Sequence, residues 1–299
     1  MKPDLDAVCE FLVAVRPRGP WKLVGLHADR DPSGKTGNRT TQVVPVDTFG
    51  PKGIDRLRRW VEYWNTTHGL YIEINPSRKH AWGRRSKAKL DPLEVGYDVW
   101  ALQWCVVDLD PPDGATPDEW AKTVTGKLAG LKELKPTLVW RSGNGMQAGW
   151  RVSPPLIINN DDDVERGKLI SQGVAEAIHA KLGLQSDKVA SIEHIFRVAG
   201  TVNWPNAVKR AKGRVPILAG DMTLDPANVY AADALPMAKP KPKRAVYSLT
   251  EPPGGWDQPD NVACAVLHLK HTKDLAREGV AGTAMRTAQL KRKQTICVF

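Results

Sequence analysis

Trp100-Ala-Leu-Gln-Trp-Cys-Val-Val-Asp-Leu-Asp-Pro-Pro112 is an apolar run, interrupted by one amide, that reaches two aspartates and stops at two prolines. A strand buried on both faces reads as a near-continuous apolar stretch, and proline removes the ladder donor that would continue it. The segment therefore predicts a central strand over residues 100–109 whose exit carries Asp108 and Asp110. Residues two apart on a strand point to the same side, so both carboxylates can grip one or two divalent ions together. Aspartates beside Pro-Pro-Asp-Gly also serve as plain turn formers, so the pair gains its meaning from the surrounding sequence.

On the C-terminal side, Thr116 can cap a helix with Pro117 in its first position and Asp118 and Glu119 at its positive end, a capping box. Residues 137–140 then predict a strand, Ser142 to Gly145 a glycine-rich turn, and 148–152 a returning strand. In Trp140-Arg-Ser-Gly-Asn-Gly-Met-Gln-Ala-Gly-Trp150, small residues and amides sit where backbone N–H groups can approach a phosphate. A plain hairpin also uses glycine, but it does not require Ser142 and Gln147 as flanking donors. Residues 163–182 predict a helix with the face Ile170, Val174, Ala177 and Ile178, aspartates at its start and Gly183 to stop it.

On the N-terminal side, Ile54, Leu57, Trp60, Val61 and Trp64 mark one face of a helix over 53–65, with arginines opposite. GLYIEIN, residues 69–75, alternates as a strand does. The cations Arg78, Lys79, Arg84, Arg85, Lys87 and Lys89 follow, either a solvated loop or a phosphate-contacting one. Residues 11–26 are apolar and mixed, and 27–50 read as turns and short strands. Ser33-Gly34-Lys35-Thr36 looks like the end of a phosphate loop, but Asp29 stands where its first glycine belongs and no apolar helix follows.

Residues 187–230 read as irregular with short strands. They contain Asp187, then Glu193, then Arg197-Val-Ala-Gly-Thr-Val-Asn203, then Lys209, Arg210, Lys212 and Arg214. Residues 237–255, with Lys-Pro-Lys-Pro-Lys and Pro-Pro-Gly-Gly, predict a basic linker. Residues 256–299 predict a partial helical module, leaving 1–236 as the main domain.

Composition narrows the class. The four cysteines, Cys9, Cys105, Cys264 and Cys297, are far apart and form no C-x-x-C pair, which fits neither a zinc ribbon nor a disulfide framework and predicts a reducing, cytoplasmic setting. No apolar run approaches the roughly 20 residues that span a bilayer. A net charge of +10 with 11 tryptophans points to a polyanionic partner, nucleic acid before lipid. Residues 239–299 carry 11 of the 43 lysines and arginines but 5 of the 33 acids, so much of the excess lies outside the main domain.

Taken in order, the three central segments resemble the archaeo-eukaryotic primase superfamily, specifically the primase-polymerase domains of phages, plasmids and integrated elements. That family shows an apolar strand ending in D-x-D, then S-G-x-G with His or Gln two residues on, then an acid leading into R-[LV]-P-G-T-[VI]-N. Here these are Asp108 and Asp110, Ser142 to Gln147, and Asp187 leading to Arg197 through Asn203, a likeness running over about residues 21–214. Ala199 stands where the family usually has proline, and Gln147 where histidine is more frequent; glutamine cannot take up the positive charge that histidine could.

The resemblance implies an α/β (α+β) fold: an RRM-like antiparallel or mixed sheet bearing the acids, an N-terminal α/β portion packed against it, and a short helical tail. It implies a nucleotidyltransferase, a DNA primase and DNA-directed DNA polymerase, acting on dNTPs or NTPs over a single-stranded DNA template in a prokaryotic host, with a replicative helicase as a further partner. Mg²⁺ or Mn²⁺ would be held by Asp108, Asp110 and Asp187, with Glu193 as the alternative third acid. Ser142, Gly143, Asn144, Gly145, Gln147, Arg197 and Lys209 would bind the nucleotide. Arg78, Lys79, Arg84, Arg85, Lys87, Lys89, Arg210, Lys212 and Arg214 would bind DNA. Two rivals remain at this point: a D-x-D glycosyltransferase, which leaves the 197–203 segment unexplained, and a non-catalytic replication initiator.

Overall fold

The computed structural model describes residues 1–17, 21–28, 42–46, 51–78, 98–184, 186, 191–211 and 213–240. The chain divides into two units after Lys239, and, Pro240 apart, the described residues all belong to the first, Met1–Lys239. Most of the expected linker, the whole C-terminal module and the Ser33–Thr36 turn lie outside the described residues.

The N-terminal portion comprises helix α1 (Leu5–Val15), strands β1 (Trp21–His27) and β2 (Gln42–Val46), helix α2 (Pro51–Trp64) and strand β3 (His68–Glu73). The Asp4 side chain caps α1 by accepting from the amides of Asp6 and Ala7 at 3.1 and 3.0 Å. Val8, Phe11, Leu12 and Val15 are its buried face. The central portion comprises β4 (Ala101–Leu109), α3 (Pro117–Ala129), β5 (Leu138–Arg141), β6 (Met146–Ile157) and α4 (Asp161–Leu182). The capping box of Thr116 and Glu119 forms, and Gly183 ends α4 at φ +64° with its N–H on His179 O. The remainder is β7 (Ile195–Arg197), β8 (Val202–Asn203), α5 (Ala207–Ala211), β9 (Ile217–Leu218), β10 (Gly220–Leu224) and β11 (Val229–Tyr230).

These elements build a mixed α+β fold on two main sheets. The first has the order β2-β1-β3-β7 and is antiparallel throughout. In the second, β6 lies between β5 and β4, β10 flanks β5, and β11 joins β6 in parallel. Alternation along β4 splits the core in two. Cys105, Val107 and Leu109 face α3 and α4, together with Met146, Ala148 and Trp150 of β6. Trp104 and Val106 face the other way, into a layer shared with Leu138 and Trp140, α1, α2 and the apolar face of the first sheet. Trp104, Trp140 and Trp150 are fully buried, and truncating any of them to alanine costs roughly 3–5 kcal/mol.

The returning strand is longer than expected from residues 148–152, because β6 continues through Pro154 and Pro155 to Ile157. The ladder with β4 tolerates this by a register break, Leu102 pairing with Leu156 and Trp104 with Arg151. Buried Asn75 repairs the backbone there. Its Oδ1 accepts from the amides of Gln103 and Trp104, and its Nδ2 donates to the carbonyls of Trp104 and Ile192, all between 2.8 and 3.1 Å. These four bonds use both donors and both acceptor positions of the amide.

Candidate active site

Cross-strand register brings two of the three sequence motifs into two adjacent rows on one face of the second sheet. Trp140 pairs with Gln147, and Gln147 pairs with Asp108, giving the row Trp140–Gln147–Asp108 across β5, β6 and β4. Neighbouring strands are about 4.8 Å apart, so Asp108 stands one strand from Gln147. The next row on the same face is Ser142–Gly145–Asp110, just beyond the strand ends. A Cβ placed on Gly145 would meet Asp110 Oδ1 at 2.9 Å, Leu109 O at 3.0 Å and Ser142 Oγ at 3.3 Å. The missing side chain of Gly145 thus keeps the carboxylate and the hydroxyl on either side of an open backbone.

The turn between β5 and β6 is held tightly. Ser142 N donates to Gly145 O at 2.9 Å, and Arg141 Nε donates to Gly143 O at 2.9 Å. Gly143 has φ +113°, which side chains rarely adopt. Arg141 is itself paired with Asp118 of α3 at 2.7 Å. The indole of Trp120 donates to Leu109 O at 2.8 Å and so fixes the exit of β4, where Asp110 begins.

Strand β7 rests its free edge on the first row. The backbone N–H of Arg197 donates to Gln147 Oε1 at 3.2 Å, and the Trp140 indole donates to Arg197 O at 3.0 Å. The Arg197 side chain is 7% exposed. Its Nη2 donates to Tyr71 Oη at 2.7 Å and to Asn203 Oδ1 at 2.9 Å, and its Cζ lies 4.2 Å from the centre of the Tyr71 ring. Asn203 Nδ2 in turn donates to Ser142 O at 3.1 Å. Arg197 Nη1 is sealed from solvent without a hydrogen-bond partner, and among the described residues no carboxylate pairs with this guanidinium. Burying a charge without a counter-ion is unfavourable by several kcal/mol. The guanidinium is therefore a buried cation without a fixed counter-ion among the described residues.

Asp108 and Asp110 offer hard oxygen donors of the kind Mg²⁺ and Mn²⁺ take, and the open flank of Gly145 leaves Asp110 Oδ1 uncovered by a side chain. Among the described residues no group of three or more His, Cys, Asp or Glu side chains is gathered closely enough to hold an ion. Asp187 lies outside the described residues. Glu193 stands just before β7, half-buried, with Oε2 sealed from solvent and without a hydrogen-bond partner.

The remaining expected site residues fall elsewhere. Lys209 and Arg210 lie on α5 and are exposed, with Arg210 Nη1 on Pro205 O at 2.8 Å. Arg214 is half-buried and reaches Asn144 Oδ1 at 3.5 Å, which ties the basic segment to the turn. Arg78 is held by the chain itself: its amide donates to Asp98 O at 2.8 Å and its guanidinium to Ile158 O. Those contacts lie at the start of β4, roughly 30 Å from Asp108 at about 3.3 Å per residue. Lys79, Arg84, Arg85, Lys87, Lys89 and Lys212 lie outside the described residues.

Tyr71 and Asn203 belong to the constellation; the sequence marks Asn203 only as the end of the Arg197–Asn203 motif and gives no sign of Tyr71. The alternation of GLYIEIN puts Tyr71 and Glu73 on one face of β3, the face that Arg197 shares through the Tyr71–Arg197 pairing. Glu73 forms a buried ion pair with Lys22 at 2.8 Å and accepts from Ser77 Oγ at 2.8 Å. Burial holds Arg16 nearby down to about 10, against the opposing pull of the Glu73 charge. On the helical side of the second sheet, a cavity of about 230 Å³ is bordered by Thr125, Leu128, Val139 and Thr223, on the opposite face from the Trp140–Gln147–Asp108 row. No helix among the described residues is long and apolar enough to cross a membrane.

No family model matches this chain, and no curated protein matches it. Among solved structures, the AEP domain (PP-N190) of the cyanophage S-2L primase-polymerase is similar, with a TM-score of 0.46 and 13% identity, over 79% of this chain and 100% of that domain.

Proposed function

We propose that the chain is a nucleotidyltransferase of the primase-polymerase kind, extending a 3′-hydroxyl along a single-stranded DNA template with nucleoside triphosphates. The observation that carries this reading is the meeting of two carboxylates with a buried guanidinium that no carboxylate among the described residues pairs with. Asp108 and Asp110 occupy two adjacent rows of one sheet face, and Arg197 is docked on the first row and tied through Asn203 to the second. Acids beside an anion-seeking cation suit a substrate that is both polyanionic and metal-bound.

In the reaction a bond forms between the primer 3′-oxygen and the α-phosphorus, the bond to the β-phosphate oxygen breaks, pyrophosphate leaves, and the hydroxyl proton passes to solvent. Mg²⁺ or Mn²⁺, held by Asp108 and Asp110 with Asp187 or Glu193, would make that hydroxyl more acidic and neutralise charge on the phosphates. Ser142 Oγ and the backbone of Gly143 to Gly145 would orient the triphosphate, with the Arg197 guanidinium as its fixed cation. Gln147 fits a supporting role better than a direct one, since its carbonyl oxygen already holds β7. Lys209, Arg210 and Arg214 would contact template phosphates, together with the cations of the 79–89 segment and Lys212.

The test is a gel assay on primed and unprimed single-stranded templates, with dNTPs, NTPs or a sugar nucleotide, and Mg²⁺ or Mn²⁺. Template-dependent incorporation supports the reading. Transfer from the sugar nucleotide alone, or duplex binding without metal-dependent incorporation, overturns it.

A further inference from the structure

We infer that Tyr71 and Asn203 are positioning residues that lock the Arg197 guanidinium to the Ser142–Gly145 turn, so that cation and turn act as one anion-binding unit. The inference rests on the nucleotide-binding reading above and adds two residues to it. An arginine side chain has many rotamers, and holding one in place inside a site costs entropy unless the protein has already restricted it. Here the restriction comes from several sides. The Tyr71 ring covers one face of the guanidinium, and the Tyr71 hydroxyl and Asn203 Oδ1 both accept from Nη2. Gly69 closes the Nη1 side, since a Cβ there would stand 2.3 Å from that nitrogen.

Asn203 has a second task. Its Nδ2 donates to Ser142 O, and a Cβ on Gly143 would come within 2.4 Å of the same nitrogen. Only one orientation of the amide serves both neighbours, oxygen toward the cation and nitrogen toward the carbonyl. A displacement of the turn therefore moves the amide that holds Arg197. Among the described residues no carboxylate pairs with the guanidinium, so no fixed counter-ion there competes with a phosphate.

The experiment measures dATP binding with Mg²⁺ by calorimetry, alongside kcat and KM for primer extension and the thermal midpoint of each variant. The variants are Arg197→Ala, Asn203→Ala, Tyr71→Phe, Tyr71→Leu and Gly69→Ala, with the double variant Arg197→Ala/Asn203→Ala. Asn203→Ala should weaken dATP binding by about tenfold, the scale of one hydrogen bond to a charged group, and raise KM far more than it lowers kcat. In the Arg197→Ala background the same change should have almost no further effect on binding. Tyr71→Phe, which loses the hydroxyl that accepts from Nη2 and keeps the ring, should weaken binding on the scale of Asn203→Ala and by less than Tyr71→Leu. Gly69→Ala, which leaves Tyr71 and Asn203 in place and displaces the guanidinium, should mimic Arg197→Ala in binding while its thermal midpoint falls little.

If Arg197→Ala weakens binding and the Asn203 and Tyr71 variants do not, or if the two losses simply add, the positioning role is wrong while the nucleotide site stands. If the wild-type protein binds no nucleotide at all, both fail together. Where Asn203→Ala or Tyr71→Leu does not fold, Tyr71→Phe, which removes one of the two bonds to Nη2 and keeps the ring, carries the same comparison alone and in the Arg197→Ala background.

Discussion

Gln147 Oε1 accepts the backbone N–H of Arg197 at 3.2 Å, and this bond joins the free edge of one sheet to the face of the other. The partner that completes the joint is Trp140, cross-strand neighbour of Gln147, whose indole takes the carbonyl of the same arginine. Gln147 is 3% exposed, so its removal leaves a buried amide without an acceptor. Gln147→Ala should therefore lower stability by roughly 1–3 kcal/mol, and Trp140→Phe, which loses the donor and part of the buried indole, by at least as much. Urea unfolding followed by far-ultraviolet circular dichroism measures both. An unchanged midpoint in Gln147→Ala would mean that the joint is not formed in solution.

Gly143 and Gly114 provide an internal contrast. Both have positive φ, +113° and +88°, but a Cβ at Gly114 meets nothing within 4 Å, whereas at Gly143 it meets the Asn203 amide at 2.4 Å. Gly114→Ala should cost about 1–3 kcal/mol for the backbone conformation alone. Gly143→Ala should cost more than that, and should also reduce nucleotide affinity, because relief of the clash pushes Asn203 away from Arg197. Equal losses of stability at the two positions, with affinity intact, would count against the packing described for the turn.

Much of this architecture could be read from local signals. The capping box at Thr116, the αL glycine at 183 and the apolar alternation of 100–109 act within a few residues, and each element formed where those signals put it. Helix α1 had its signal as well: Asp4 as cap, then Val8, Phe11, Leu12 and Val15 at helical spacing. The extension of β6 through two prolines was less accessible, since it depends on Asn75, more than 70 residues upstream, repairing the opposite strand at Gln103 and Trp104.

The buried amides mark where reading from sequence ends. Asn65 donates to the carbonyl of His68 three residues on, and it both donates to Val202 O and accepts from Val202 N across 137 residues. Gln147 sits where a nucleotide contact is expected, and nothing local distinguishes an amide aimed at a ligand from one aimed at a strand 50 residues on. Both satisfy the same need for a donor or acceptor, and only the register of β7 decides between them. Tyr71 was hidden for a similar reason, because its partner Arg197 is brought to it by strand pairing rather than by spacing.

His68 should make the stability of the N-terminal portion depend on pH. It is 5% exposed, pairs across the ladder with His27, packs against the edge of Trp64 and bonds Thr67 Oγ1 through Nδ1. Burial first, and then the charge of His27, hold its pKa below the ordinary 6.5. The unfolded chain thus takes up a proton at a higher pH than the folded one. This contribution to stability is complete above the unfolded value and is lost as pH falls through the folded value. The thermal midpoint should drop as pH is lowered from 7 to 5, and His68→Phe should flatten that slope. Parallel slopes in the two proteins would remove His68 as the cause.

Asp108 and Asp110 differ in a way that makes them a useful pair. Asp110 is exposed beyond the strand end, and Asp108 is half-buried within β4 opposite Gln147. Replacing Asp110 by asparagine should leave stability within about 0.5 kcal/mol, because no folded contact is lost that water cannot replace. Its effect on incorporation should nonetheless be severe, roughly 10²–10³-fold, the scale of deleting one electrostatic contributor to a transition state. Asp108→Asn should be at least as damaging to activity, with a measurable change in thermal midpoint. Both losses should persist at saturating nucleotide, which separates them from the Asn203 variants, whose defect is in KM. Primer extension with purified, folded variants, in Mg²⁺ and in Mn²⁺, measures all of this. Sustained extension by folded Asp108→Asn would show that the two rows of side chains on this sheet do not house the chemistry.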